Sequence, residues 1–195
     1  MRNFLWHGPA VAVIGMFLTG ATPILTAPDL RARSVETSPD RSSIREQLFA
    51  ALKNARSEPE ARQIESEIWQ FWSQGPDSQA TQQISEIFAA RRAYDLEKAL
   101  RIANELTERL PGYSEGWNQK ATVLFMQEEP DASLEAIERV LELEPKHFGA
   151  LAGKAVILIR QGRMAIAQAT LREAVAIHPF LKERHMIIEP KGRDI

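Results

Sequence analysis

Apolar residues recur along most of the chain at the three- and four-residue spacing of amphipathic helices. Prolines close three of these stretches, and Pro111, Pro145 and Pro179 lie 34 residues apart. A fixed period of this length indicates a structural repeat built from one supersecondary unit. The prolines frame three units of two helices each, at residues 80–113, 114–147 and 148–181.

Equivalent positions of the units carry similar residues. In the second unit Trp117 takes a large aromatic position and Ala121 a small one, where a partner helix can approach closely. The third unit fills the same pattern with Leu151, Ala155, Leu158, Gly162, Ala167, Leu171, Ala174 and Pro179. The first unit is weaker, because Gln83 stands where an aromatic residue or leucine is usual.

Over residues 80–181 the pattern resembles the tetratricopeptide-repeat (TPR) family. The resemblance implies an all-α fold, a right-handed superhelix of about three helix-turn-helix repeats. A short array of this kind needs support at its ends. Residues 43–79 predict a divergent capping helical hairpin, with capping-box starts at Ser43 and Ser57. Residues 182–195 are expected to form a C-terminal cap and tail, with Phe180–Ile188 as a candidate final helix.

The N-terminal residues have the pattern of an export signal. An apolar run at residues 10–18 follows Arg2, and no other formal charge precedes Asp29. Residues 1–27 are therefore predicted to be a signal peptide, with cleavage favoured after Ala21, or an uncleaved N-terminal anchor. A short buried helix is the alternative. Residues 28–42 are predicted to be a flexible polar linker.

A finer resemblance concerns the runs Glu115–Asn118 and Pro145–Leu151, behind the Ile68–Trp72 helix and a leader. Together they are similar to small exported TPR proteins of alphaproteobacteria. That resemblance implies a role linked to the cell envelope. We therefore expect the protein in the periplasm, or anchored in the inner membrane and facing the periplasm, with membrane contact only through an uncleaved N-terminal segment.

Composition and charge narrow the classes of function. Lys and Arg number 24 against 26 Asp and Glu, so no net basic field favours nucleic acid. The absence of cysteine excludes disulfides and thiol chemistry. The histidines beyond the leader lack zinc-site spacing, and we expect His147 and His178 to be ordinary turn or surface residues. Phosphate-loop and Gly-x-Ser-x-Gly motifs are missing as well. We expect no enzyme activity, cofactor or metal, and we read Glu135, Glu138, Glu142 and Glu144 as solvated residues.

In the TPR family the first helix of each unit lines a concave groove. The resemblance therefore implies a candidate peptide-binding surface at Phe88, Arg91, Arg92, Asn118, Thr122, Phe125, Met126, Val156, Ile159 and Arg160. Apolar groups with arginines and an amide suit a peptide that carries apolar and acidic side chains. The lysine and asparagine clamp of chaperone-binding members is not reproduced at these positions. One alternative is that the apolar residues pack in the core. The other is that Glu86 or Glu97 neutralises the arginines. No helical contact of the fold requires an arginine at these positions.

The tryptophans are expected to differ in role. Trp117 is predicted to pack between the two helices of its unit. Trp69, Phe71 and Trp72 cannot all be buried on one narrow helical stripe, so one of them is expected to face a partner or the leader. These features predict a non-enzymatic scaffold or adaptor for a protein or peptide partner. The alternative is an inner-membrane-anchored TPR domain that acts as an assembly or chaperone-like factor, and an enzyme with an unrecognised site is a distant third.

Overall fold

The computed structural model describes residues 40–189. Within that range the chain forms eight α-helices and one five-residue 3-10 helix, as the hydrophobic pattern predicts. The α-helices are α1 Arg41–Lys53, α2 Glu58–Ser73, α3 Ser78–Arg92, α4 Leu96–Arg109, α5 Ser114–Met126, α6 Pro130–Leu143, α7 Phe148–Arg160 and α8 Met164–Ile177.

The repeat frame is visible in the helix boundaries. The second helices of the three units begin at Leu96, Pro130 and Met164, 34 residues apart. Each ends two residues before a repeat proline, so α6 stops at Leu143 and Pro145 follows. Because proline has no N–H and disfavours helical backbone before it, its recurrence sets the length of the second helix.

The turn inside each unit also repeats. Tyr94, Glu128 and Gly162 occupy the same turn position and have φ values of 58°, 64° and 73°. A left-handed conformation costs a residue with a Cβ atom about 1–2 kcal/mol, and glycine avoids that cost. The turn geometry is therefore imposed by the packing of the two helices and not by the residue that occupies it.

Within each unit the two helices pack as an antiparallel pair, α3 on α4, α5 on α6 and α7 on α8. Small residues allow the close approach: Ala121 is buried, and its carbonyl accepts a 2.8 Å hydrogen bond from Ser133 Oγ across the α5–α6 pair. Neighbouring pairs stack on each other, α4 on α5 and α6 on α7. The all-α repeat architecture predicted from the sequence is confirmed.

Helices α1 and α2 form the predicted hairpin. Helix α1 begins at Arg41 and not at Ser43, so the last two residues of the predicted 28–42 linker are helical. Asp40 occupies the N-cap and makes no side-chain capping bond to the helix, which leaves Ser43 in the first turn. At α2 the prediction is correct, because Ser57 Oγ accepts a hydrogen bond from the Glu60 N–H at 3.4 Å.

The hairpin packs on the second and third units, across the turns that connect them. Phe49 and Trp72 share one apolar cluster with Phe148 of α7 and Ala174 of α8. The Tyr113 hydroxyl, at the last residue of the first unit, donates a 2.6 Å hydrogen bond to the carbonyl of Trp72. The hairpin therefore supports the array along its length. This position depends on contacts far apart in sequence, which the repeat pattern does not predict.

The C-terminal segment covers α8. It forms a 3-10 helix at Lys182–Met186 where a final α-helix was a candidate. The Gln168 side chain holds it, donating to the Met186 carbonyl at 2.9 Å and accepting from the Ile188 N–H at 2.8 Å. Because the segment is tied through its backbone, a short 3-10 turn is sufficient to cap the array.

Candidate functional site

A groove of about 630 Å³ runs along the inner side of the repeats. Its floor comes from the first helices α3, α5 and α7, one wall from α2, and one end from residues 180–183. The predicted residues that line it are Phe88, Arg91, Asn118, Thr122, Phe125 and Val156. The other four, Arg92, Met126, Ile159 and Arg160, lie outside this lining, although the Arg160 guanidinium lies 4.5 Å from the centre of the Phe125 ring.

The α2 wall is the part of the groove that our sequence analysis missed. Its lining side chains are Glu58, Arg62, Glu65 and Trp69, which lie on one face of the helix. Trp69 is half-buried, as is Phe71, whereas Trp72 is buried. The expectation that the three aromatic residues cannot all be buried is thus confirmed. The regular spacing of these four residues along α2 is the signal that could have identified the wall.

The arginines of the first helices differ in their surroundings. Arg91 is half-buried and donates from Nη1 to the Gln119 side-chain oxygen at 2.6 Å. Burial lowers the pKa of Arg91, and the nearby charge of Glu115 opposes that shift. The expectation that no contact of the fold requires this arginine is therefore wrong for Arg91.

Arg92 and Arg160 are both exposed. Neither forms an ion pair with any residue in the 40–189 range. Glu86, one of the two acids considered as a partner, accepts instead from Gln82 at 2.8 Å. Arg160 therefore keeps its charge available beside the Phe125 ring at the edge of the groove, whereas Arg92 is an exposed residue outside the groove lining.

Glu115 in the first turn of α5 is fully buried beneath the groove. Its carboxylate accepts hydrogen bonds from Gln119 Nε2 at 2.5 Å and from Asn118 Nδ2 at 3.2 Å. The first turn of a helix favours an acid because its backbone N–H groups are partly unpaired. Sequence reasoning missed this residue, because an acid at a helix start usually faces water.

His147 provides the third partner of that carboxylate. Its Nδ1 accepts the Ala150 N–H at 3.1 Å and caps α7, so the other ring nitrogen, Nε2, carries the proton that faces Glu115 at 3.2 Å. The ring stacks on Trp72, with centres 3.9 Å apart and planes 5° from parallel. His147 is thus a turn residue, as expected, but it is fully buried and not at the surface.

A second histidine–carboxylate pair joins α2 to the third unit. His178 is buried at the end of α8, and its Nε2 lies 3.4 Å from Glu65. The hydrogen bond from His178 lowers the pKa of Glu65, and a bond from Trp69 adds to the effect. His178 is thus a turn residue, as expected, but it is buried and not at the surface.

Two further expectations need correction. Glu144 is buried and pairs with Arg45 of α1, whereas Glu135, Glu138 and Glu142 are solvated as predicted. Trp117 packs against the apolar cluster of α5 and α6, as predicted, but it is half-buried and not fully enclosed between them. Its indole N–H donates to the carbonyl of Pro111 at 3.0 Å. Both misassignments arise because the periodicity describes one unit, and the neighbouring elements decide what is covered.

No group of three or more His, Cys, Asp or Glu side chains in residues 40–189 is arranged to hold a metal ion. None of the helices in this range is long and apolar enough to cross a membrane. The predicted signal or anchor at residues 1–27 lies outside the described residues.

Comparison with known proteins identifies the family of the repeats. The tetratricopeptide-repeat family model matches residues 124–185. A TPR repeat-containing protein of Rhizobium etli is 31% identical over 147 residues, which cover 75% of this chain and 71% of that protein. The chain belongs to the tetratricopeptide-repeat family. TPR arrays are protein-binding scaffolds, and the groove of this TPR protein is lined by the first helices of its units.

Proposed function

We propose that this TPR protein is a non-enzymatic scaffold that holds an acidic, partly apolar segment of a partner protein in its groove. The observation that carries the proposal is an unpaired arginine at the edge of the groove. Arg160 lies over the ring of the groove residue Phe125 and has no carboxylate partner among the described residues, whereas the acids of the α2 wall are engaged. Glu58 pairs with Arg62 and Arg184, and Glu65 faces His178.

The apolar part of the surface complements these charges. Phe88, Phe125 and Val156 are half-buried and line the groove, so their exposed portions are available to apolar side chains of a ligand. Arg160 lies over the ring of Phe125, which holds the guanidinium at the edge of the apolar surface. An arginine in this setting can bind a carboxylate through two parallel N–H donors. A segment that alternates apolar and acidic residues satisfies both features.

The proposed location is the periplasm, with the protein either free after cleavage or tethered by residues 1–27. The support is the apolar run behind Arg2 and the resemblance to exported TPR proteins. Mass determination of the protein from its native host tests this part. A chain that lacks the leader supports a free periplasmic protein, an intact membrane-bound chain supports the tether, and an intact chain in the cytosol contradicts both.

Binding of designed peptides tests the groove. Two labelled peptides share one apolar pattern and differ only in their charged residue, Glu in one and Lys in the other. We expect the Glu peptide to bind more tightly, because the unpaired charge that Arg160 places at the edge of the groove is positive. The variant Arg160→Glu should weaken its binding by about tenfold or more, since attraction becomes repulsion.

The matched control is Arg101→Glu. Arg101 is exposed on α4, a second helix, and makes no ion pair within the described residues, so the change in net charge is the same. Its binding of the Glu peptide should equal that of the wild type. Equal loss in both variants, or preference for the Lys peptide, would contradict a groove that selects acidic segments.

A further inference from the structure

The buried carboxylate of Glu115 contacts both the floor of the groove and His147, the residue on which Trp72 of α2 stacks. Glu115 accepts from Gln119 and Asn118 on the side of the groove and faces His147 on the side of the hairpin. Its carboxylate is fully buried. The hydrogen bonds at the groove and the contact with His147 at the hairpin therefore both depend on the position of the two Glu115 carboxylate oxygens.

The contacts form a continuous path from Arg91 to Trp72. Arg91 donates to the oxygen of the Gln119 amide, and the nitrogen of that amide donates to Glu115. Glu115 faces His147, whose ring stacks on Trp72 of α2. Because a side-chain amide has one donor end and one acceptor end, Gln119 can connect a cation to an anion only in this orientation.

The path contains a buried carboxylate, whose burial must be compensated energetically. A buried carboxylate is costly unless it is hydrogen-bonded and balanced by a positive charge. The donors on Glu115 come from two amides and an imidazole, and Arg91 is the cation whose field acts on it through Gln119. The Arg91 Nε atom is itself buried without a hydrogen-bond partner in the described structure. Removing either charge leaves the other uncompensated.

We propose that Glu115 is a positioning residue that couples the orientation of Arg91 in the groove to the docking of α2 on the repeats. The coupling acts in both directions, as linkage requires. Loosening the His147–Trp72 contact changes the surroundings of Arg91. Removing the charge of Arg91 loosens α2. This coupling operates in the protein without any ligand.

Proton–nitrogen NMR of the Arg91 Nε–H tests the first direction. The variant His147→Asn keeps a side chain that can cap α7 but removes the imidazole from Glu115 and Trp72. We expect the Arg91 signal to shift and its exchange with water to become faster. The control Glu65→Gln weakens the other α2 contact, at His178, without touching Glu115. It should leave the Arg91 signal unchanged.

Hydrogen exchange of the α2 backbone tests the second direction. Arg91→Gln should raise the exchange rate of Trp69–Ser73 by about tenfold relative to α6 and α8, because Glu115 loses the balancing charge. Arg160→Gln, which removes a charge at the same surface, should not. Combining Arg91→Gln with Glu115→Gln should give a smaller change than the product of the two single effects.

Several results would overturn the inference. Equal shifts of the Arg91 signal in the His147 and Glu65 variants would mean that any loosening of α2 reaches Arg91, without Glu115. A uniform rise in exchange across all helices would reduce Glu115 to a residue of general stability. Unchanged α2 exchange in Arg91→Gln would remove the coupling.

Discussion

At Gly149 of α7 the docking of α2 can be tested by adding a single methyl group. A Cβ atom added there would lie 2.5 Å from Cη2 and 2.9 Å from Cζ2 of Trp69. The Trp69 ring is rigid and packs edge-on against Trp72, Phe148 and His147, with ring centres 5.1–5.6 Å apart. Gly149→Ala must therefore push the ring, and α2 with it, away from α7.

The magnitude follows from two opposing effects. Replacing glycine by alanine in a helix stabilises it by about 0.5–1 kcal/mol. Overpacking a rigid neighbour costs about 1–3 kcal/mol. Gly153, one turn later in α7, provides the control, because a Cβ atom there meets Ile137 at an ordinary 3.8 Å. Since the helix term is common to both changes, Gly149→Ala should be less stable than Gly153→Ala by the overpacking cost, about 1–3 kcal/mol.

Thermal and urea unfolding of the two variants measure this difference. For a domain of this size 1 kcal/mol corresponds to about 2–4 °C in Tm. Gly153→Ala should have a higher Tm than the wild type. Gly149→Ala should have a lower Tm than Gly153→Ala. In a Trp69→Leu background Gly149→Ala should cost less stability than it does in the wild type, because the smaller side chain leaves room for the new methyl group. Equal stabilisation by both alanines would show that Trp69 does not lie against α7.

Two further predictions concern the turns and pH. Glu128→Gly should raise stability by about 1 kcal/mol by relieving the left-handed backbone, whereas Gly162→Ala should lower it by about 1–2 kcal/mol, both measured by urea unfolding. Glu65 has a pKa below its ordinary value of 4.5 in the folded protein, so its contribution to stability is present above about pH 4.5 and is lost as the pH falls through the lowered pKa. Wild type should therefore lose more stability than Glu65→Gln on going from about pH 6 to about pH 3, and equal losses would contradict the role of the Glu65–His178 contact.

The repeat architecture was predictable because the residues that define each two-helix unit lie within that unit. Pro111 and its two counterparts set where the second helices end, and alanines such as Ala121 mark close helix contacts. These signals act within a unit of two helices, so local periodicity was sufficient to place them. The residues of the groove floor, including Phe88 and Phe125, were implied by the resemblance to the TPR family and not by the periodicity itself.

The position of the hairpin was not predictable in the same way. It depends on Trp69 meeting Gly149 and on Trp72 meeting His147, pairs separated by more than two repeat units of chain. Docking of the hairpin also explains the buried polar residues. Glu144 looks solvated in a single unit and becomes buried only where α1 supplies Arg45. Long-range packing thus decided both the groove wall and the buried network beneath it.

The docking of α2 through Trp72 is the central claim, because it creates the wall of the groove and encloses the Glu115 network. The most direct measurement is a nuclear Overhauser experiment on the ring protons of Trp72 and His147. With the rings stacked at 3.9 Å, the account predicts strong cross-peaks between the indole and the imidazole, together with ring-current shifts of the His147 protons. Absence of these cross-peaks in a folded protein whose α5–α8 contacts are intact would contradict it.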